Sequence, residues 1–333
     1  MASPTPRSPG SPRPSGTRAK ARAGRIAIVG RPNVGKSTLL NALVGERIAI
    51  TSHHPQTTRD RIQGVVTQGK TQYVLVDTPG VHRARTKLGS RMNQQAREAL
   101  EGADAILFLP DVPDSKRMRI QAGAPAGAPA PAPVMRDSDL AIARGLPPGV
   151  PVVLVINKID RIANKADLLP ILEAHGRAYE FHAIVPVSAL KKDGTKSLFD
   201  ALRPLMPEGT PLFEDDVLSD KPTRFFVAEF VREQVLRRTR EEVPHGIAVI
   251  VERFDEAPKV PIIELGIVVD KESHKKIVIG RGGALLKEVG TDARARVEAL
   301  LGKQVHLKLW VRVIPRWYES DAKLRELGYG EGS

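Results

Sequence analysis

Residues 30–37 have the sequence GRPNVGKS, which fits the pattern G-x-x-x-x-G-K-[ST]. They follow the apolar run RIAIVG at 25–30 and precede a predicted helix near 36–45. Glycines let the backbone curl closely around phosphate groups, while successive N–H groups at the helix start face the anion. We therefore expect a phosphate-binding loop here, with one glycine of a later segment also binding phosphate. The expected phosphate-binding residues are Gly30, Asn33, Val34, Gly35, Lys36, Ser37, Thr38 and Gly80.

Oxygen ligands for a magnesium ion are predicted beside this loop. Ser37 offers its hydroxyl, and Asp77 of the segment DTPG can hold the ion through a water molecule. The polar stretch TSHHPQTTRDRI at 51–62 can order around the ion and the γ-phosphate and loosen after hydrolysis. Within it we choose Thr58 as the Mg²⁺ ligand, with Thr57 as the close alternative.

The sequence NKID at 157–160 closes another apolar strand and predicts the base that is bound. An Asp carboxylate there can accept two N–H bonds from guanine, and adenine offers no such pair. After a phosphate loop, and with DTPG between, this pattern indicates GTP and GDP as ligands. The residues expected around the base are Asn157, Lys158, Asp160, Ser188, Ala189 and Leu190.

The residue after DTPG is Val81, whose aliphatic side chain cannot polarise water. Hydrolysis must therefore use another group, and we expect it to be slow without a partner. Asn33 is a candidate ligand for a monovalent cation within the phosphate loop.

Short apolar runs alternate with helical segments along the first two thirds of the chain. The predicted strands are 25–30, 72–77, 105–110, 150–157 and 183–188, and the predicted helices lie near 36–45, 87–101, 137–145, 165–175 and 195–206. Such alternation predicts an α/β domain, doubly wound around a mostly parallel sheet, from about 25 to 208.

A proline-containing, acidic linker is predicted at 209–222, and an α+β domain at 223–333. A helix, two strands, two helices and a strand are expected in the second domain. The segment GRGG follows an apolar run predicted as a strand and precedes a helix, and G-x-x-G in such a place is the signature of a type II KH domain that binds RNA. The candidate RNA-binding residues are Lys275, Lys276, Ile279, Gly280, Arg281, Gly282, Gly283 and Lys287.

Composition supports a polyanionic partner. The 333 residues carry a formal net charge of +13, and 271–316 holds eleven basic and four acidic residues, a net of +7. Residues 1–24 add five basic residues and no acid, which predicts a disordered basic tail, and the Ala/Pro-rich 121–133 predicts a surface loop. The chain has no cysteine, no secretory signal and no apolar run long enough to cross a membrane, so we expect a cytoplasmic protein.

These motifs together resemble the Era family, bacterial GTPases with a C-terminal KH domain. The resemblance extends over most of 25–329 and includes REQVL, within 221–236, and EVPHGIAV, within 241–252, which are specific to that family. It implies GTPase activity, binding to the 3′ end of 16S rRNA, and a role in maturing the small (30S) ribosomal subunit. Potassium-assisted hydrolysis involving Asn33, peripheral attachment to the inner membrane and a monomeric state are further expectations.

Two other functions remain open from the sequence. One is a nucleotide-switched module that binds the membrane surface through its basic patches. The other is a GTPase that serves an RNA-modifying partner enzyme, which would not need the GRGG loop.

Overall fold

A six-stranded sheet forms the centre of the first domain. The computed structural model describes residues 20–52, 54, 57–80, 86–112, 135–162, 165–239 and 243–329. The strands are β1 (Arg22–Gly30), β2 (Ile62–Gln68), β3 (Thr71–Asp77), β4 (Ala105–Leu109), β5 (Val152–Asn157) and β6 (Ala183–Val187). They lie in the order β2-β3-β1-β4-β5-β6, with β2 antiparallel to β3 and the other pairs parallel.

Helices cover both faces of this sheet. They are α1 (Lys36–Val44), α2 (Lys87–Glu101), α3 (Asp137–Arg144), α4 (Leu168–Gly176) and α5 (Thr195–Leu202). Every residue of β3, β4 and β5 is buried, because central parallel strands are covered on both sides. The predicted doubly wound, mostly parallel α/β domain is therefore confirmed.

The second domain is built on a three-stranded sheet. Its elements are α6 (Thr223–Arg238), β7 (Ala248–Asp255), β8 (Ile262–Val269), α7 (Glu272–Ile279), α8 (Ala284–Leu301), β9 (His306–Val313) and α9 (Asp321–Glu326). Strand β8 is central, antiparallel to β7 and parallel to β9. The predicted order of helix, two strands, two helices and a strand is present, and a short terminal helix follows it.

The structure corrects three details of the predicted elements. The first strand begins at Arg22, inside the predicted tail, because the N–H of Arg22 bonds the carbonyl of Lys70 at 2.9 Å and Ala23 is buried. GRGG lies between two helices and not after a strand, since the run IVI before it belongs to α7, where Val278 is buried and Ile277 is exposed. Strand β2 was not predicted at all. Residues 121–133, for which a surface loop is predicted, and Val81 lie outside the described residues.

The segment predicted as a linker, 209–222, runs along the outer edge of the first sheet. The N–H of Val65 bonds the carbonyl of Leu218 at 3.0 Å, and the Ser219 hydroxyl donates to the carbonyl of Gln63 at 2.6 Å. These bonds occupy backbone groups of edge strand β2, which would otherwise be open to pairing with another chain.

The two domains also pack directly against each other. Leu88 and Met92 of α2 share an apolar cluster with Trp317, Leu324 and Leu327 near the end of the chain. The helix that follows the DTPG segment is therefore in contact with the second domain. Among the described residues, no helix is both long enough and apolar enough to span a bilayer.

Candidate nucleotide and RNA sites

Two glycines shape the predicted phosphate-binding loop. Gly30 ends β1 with φ +155°, and a Cβ there would lie 2.3 Å from the carbonyl oxygen of Leu109. Gly35 precedes α1 with φ +103°, and a Cβ there would lie 2.3 Å from Nδ2 of Asn157. Glycine is required at both positions because a side chain would collide with fixed neighbours and strain the backbone.

Lys36 is folded back over this loop. Its Nζ donates to the carbonyls of Gly30 at 3.0 Å and Arg31 at 3.1 Å. Burial lowers the pKa of Lys36, and the nearby Asp77 carboxylate acts in the opposite direction. A buried ammonium is poorly solvated, so it would gain from contact with an anionic phosphate group.

Three oxygens converge beside Lys36. The Ser37 hydroxyl donates to Oδ2 of Asp77 at 2.7 Å and lies 2.9 Å from Oγ1 of Thr58, which is 3.2 Å from the same Oδ2. Asp77 is fully buried, and its Oδ1 has no hydrogen-bond partner among the described residues. Burial raises the pKa of Asp77, while Lys36 and the two hydroxyls lower it. A hard oxygen set with an unpartnered carboxylate oxygen fits Mg²⁺.

The two threonines of the polar stretch face different ways. Thr58 joins Ser37 and Asp77, whereas the Thr57 hydroxyl donates to the carbonyl of His54 at 2.6 Å. The geometry therefore favours Thr58 as the Mg²⁺ ligand. Its assignment, like those of the other site residues, remains a prediction.

The predicted base-binding residues meet at the end of β5. Nδ2 of Asn157 donates to the carbonyl of Val34 at 3.0 Å, and its Oδ1 accepts the N–H of Ala189 at 3.1 Å. The Ser188 hydroxyl donates to Oδ1 of Asp160 at 2.6 Å. Asn157 thus ties the phosphate loop to the segment at 187–190, and Ser188 orients the carboxylate that would bind guanine.

One cavity of about 560 Å³ connects the phosphate and base ends. Eleven predicted residues line it, while Gly30, Val34, Asp77, Ser188 and Ala189 do not. The lining predicted residues are Asn33, Gly35, Lys36, Ser37, Thr38, Thr58, Gly80, Asn157, Lys158, Asp160 and Leu190. Arg237, from α6 of the second domain, also lines this cavity and was missed because no local pattern connects it with the nucleotide motifs.

The GRGG segment forms a tight turn between α7 and α8. Gly280, Gly282 and Gly283 have φ values of +75°, +58° and +82°. A Cβ on Gly282 would meet nothing within 4 Å, whereas one on Gly280 would lie 2.8 Å from Cβ of Leu285. The turn is therefore tightly closed at Gly280 and open at Gly282.

Cationic side chains surround this turn. Lys276, Arg281 and Lys287 are exposed, and Lys275 and Ile279 are half-buried. All eight predicted RNA-binding residues lie on α7, the turn or the start of α8. This arrangement would allow a phosphate backbone to approach Gly282 closely while cations flank it.

The cavity restricts what this protein can bind. Its phosphate end suits a polyphosphate, and the carboxylate of Asp160 at the other end suits guanine. Such a cavity, at the carboxyl ends of a mostly parallel sheet, defines a P-loop GTPase, and here a KH domain follows it in the chain.

Comparisons with known proteins identify the family to which this P-loop GTPase belongs. Residues 25–158 match a family described as 50S ribosome-binding GTPase, and 242–318 match the KH domain. The chain is 45% identical to GTPase Era of Geotalea uraniireducens over 94% of this chain and 99% of the relative. It is 42% identical to GTPase Era of Trichlorobacter lovleyi over 92% and 98%.

Two solved structures similar to this chain are also of Era. One is Era in complex with MgGDPNP and nucleotides 1506–1542 of 16S ribosomal RNA, and the other is an Aquifex aeolicus Era variant bound to GDP and AlF4⁻. Each has a TM-score of 0.83 and 38% identity, covering 93% of this chain and 99% of the other. The chain belongs to the Era family. It is a GTPase that hydrolyses GTP to GDP and phosphate, with Mg²⁺ as its cofactor.

Proposed function

We propose that this protein is a GTP-controlled switch that binds the 3′ end of 16S rRNA through its KH domain and assists maturation of the 30S subunit. The observation that carries this proposal is the open glycine turn at Gly282, flanked by exposed Lys276, Arg281 and Lys287. The similarity to Era crystallised with 16S rRNA nucleotides supports the RNA partner. We place this activity in the cytoplasm, with a monomer as the working unit.

Contacts between the domains support control by nucleotide. Arg232 of α6 donates to the carbonyl of Thr57, the neighbour of the predicted Mg²⁺ ligand Thr58. Arg59 donates to the carbonyl of Ile247 in the second domain and lies 5.6 Å from the centroid of the Trp317 ring. Any rearrangement of 57–59 when the γ-phosphate leaves would disturb these contacts with the KH domain.

The first test is RNA binding in two nucleotide states. Affinity for the 3′ tail of small-subunit rRNA would be measured with GDP and with GDPNP across a salt series, with a scrambled RNA as control. We expect tighter, sequence-dependent binding with GDPNP. Equal and steeply salt-dependent binding to both RNAs would leave only nonspecific attraction to phosphate, and the proposal would fail.

A matched pair of variants tests the glycine turn. Gly282→Asp and Gly302→Asp both place an aspartate at a left-handed glycine where an added Cβ would meet nothing within 4 Å. They lie before the start and at the end of α8, so the helix dipole disfavours the second, and poorer folding would affect the control more than the test variant. Only the first adds an anion to the proposed RNA surface. We expect at least about a tenfold loss of RNA affinity for Gly282→Asp alone, since the carboxylate repels the phosphate backbone. Equal losses in both variants would contradict this assignment.

Asn33 is proposed as a ligand for K⁺ during hydrolysis. It lines the nucleotide cavity in a left-handed conformation, with φ +66°. Hydrolysis should then be faster in KCl than in NaCl at equal ionic strength, and Asn33→Ala should remove the difference. Peripheral membrane attachment stays a prediction.

A further inference from the structure

One residue of the KH domain lines the nucleotide cavity. Arg237 lies in the last turn of α6, yet it borders the same cavity as Lys36, Ser37 and Asp160. The other lining residues of the described chain all lie between 32 and 190. The cavity wall is therefore shared between the two domains.

Glu233, one turn earlier on α6, fixes Arg237 against this wall. Its side chain is fully buried, and its Oε1 accepts Nη2 of Arg237 at 2.9 Å. The same oxygen accepts the backbone N–H of Thr51 at 3.3 Å, and Thr51 is itself a lining residue. The guanidinium of Arg237 is thereby held beside the start of the 51–62 stretch.

The surroundings of Glu233 carry more positive than negative charge. Arg47, Arg237 and Arg296 all form ion pairs with this one carboxylate, which leaves a net charge of +2 on the four groups. The hydrogen bond to Glu233 uses one of the five N–H donors of Arg237, whose side chain is 43% exposed. Among the three arginines, Arg237 is the one that borders the cavity.

We propose that Arg237 is a nucleotide ligand supplied by the KH domain, and that its guanidinium pairs with a phosphate of bound GDP and GTP. The position of the arginine supports an anionic partner in the cavity. Its Nη2 and the backbone N–H of Thr51 share Oε1 of Glu233, and both residues line the cavity together with Lys36 and Ser37 of the phosphate loop. The bound nucleotide then bridges the two domains.

The test compares two neighbouring arginines of α6. Arg238 is the control, because it pairs with Glu288 and Asp292 of α8 and does not line the cavity. Affinities for GDP and GDPNP would be measured by titration calorimetry in excess Mg²⁺. Arg237→Met should weaken both by about tenfold, the loss expected for one charge-assisted hydrogen bond, while Arg238→Met should stay within about twofold of the unmodified protein.

Further measurements test the nucleotide contact of Arg237 separately from the proposed RNA function. Arg237→Lys keeps the charge and should retain more affinity than Arg237→Met, and it replaces that variant if the latter unfolds. Affinities of Arg237→Met within about twofold of the unmodified protein would overturn the assignment. A variant that loses affinity for the rRNA 3′ tail while binding GDP normally would assign the guanidinium to RNA, and this also overturns it.

Discussion

Arg232 is the side chain whose loss should most disturb the junction between the domains. It is 1% exposed and donates to both carboxylate oxygens of Glu229, at 2.6 Å and 2.7 Å. It also donates to the carbonyl of Thr57. Burial alone would lower the pKa of Arg232, but the ion pair and hydrogen bonds with Glu229 outweigh it and raise the pKa. The arginine therefore stays charged, and methionine is the substitution that removes its charge while keeping most of its length.

The expected loss of stability follows from what remains after the substitution. Arg232→Met leaves the carboxylate of Glu229, which is 11% exposed, without its cation. Breaking one side of such a buried pair costs about 3–5 kcal/mol. Asp60 adds to this loss of stability. Burial and the nearby Glu229 raise its pKa to about 6, and Arg232 opposes that rise, so removing the arginine also removes a cation that favours the ionised Asp60. The double variant Arg232→Met/Glu229→Gln removes both charges and should recover about half of the loss or more.

Urea unfolding in a fixed excess of GDP measures the three stabilities, and RNA binding gives a second readout. The double variant should fold, but its RNA affinity should differ less between GDP and GDPNP, since the contact with Thr57 is gone. A loss below about 1 kcal/mol in Arg232→Met would refute the buried-pair argument. So would a double variant no more stable than the single one.

Three further predictions concern separate parts of the structure. Asp160→Asn should lower GDP affinity by about 100-fold and favour XDP, whose extra carbonyl accepts from the amide, and a competition assay that still prefers GDP would contradict this. Gly35→Ala should abolish nucleotide binding through its clash with Asn157, whereas Gly45→Ala, also left-handed but in open space, should only reduce stability by about 1 kcal/mol. Burial lowers the pKa of His175 from 6.5 in the folded protein, so the unfolded chain takes up a proton first as the pH falls. The free energy of unfolding should therefore decrease as the pH drops below 6.5, and His175→Gln should flatten that part of the pH–stability curve.

The nucleotide motifs could be predicted because they are local and because the sheet is parallel. Gly30, Asp77 and Asn157 each end a strand, and parallel strands bring such ends to one edge. Each motif also carries its own backbone requirement, such as the left-handed glycine at position 35. The positions of these motifs along the chain and the chemistry of their side chains were together enough to predict where the cavity lies.

Other elements could not be predicted because distant residues determine them. Strand β2 has polar and glycine residues, and its pairing with the distant backbone groups of β3 fixes its conformation, while a Cβ on its Gly64 would lie 2.6–2.9 Å from Val44, Ile48 and Leu40. Helix α7 contains the run IVI, which is typical of a strand, yet only Val278 of that run is fully buried in the second domain. Both are cases of tertiary context overriding local preference.

The charged face of α6 supports the proposed role of the junction as a switch, and it also explains why the sequence did not reveal that junction. Glu229, Arg232, Glu233 and Gln234 are all buried, although such residues usually indicate a solvent-exposed helix face. Buried ion pairs gain in mutual attraction roughly what they lose in desolvation, so the pair of Glu233 with Arg47, which crosses the junction, contributes little net stability. Moving a two-state equilibrium from 1:99 to 99:1 needs about 5.5 kcal/mol of differential binding. In the proposed switch, bonds to the γ-phosphate and Mg²⁺ would have to supply this energy through 57–59, against the charged contacts of α6 and against the apolar cluster of Leu88, Met92 and Trp317.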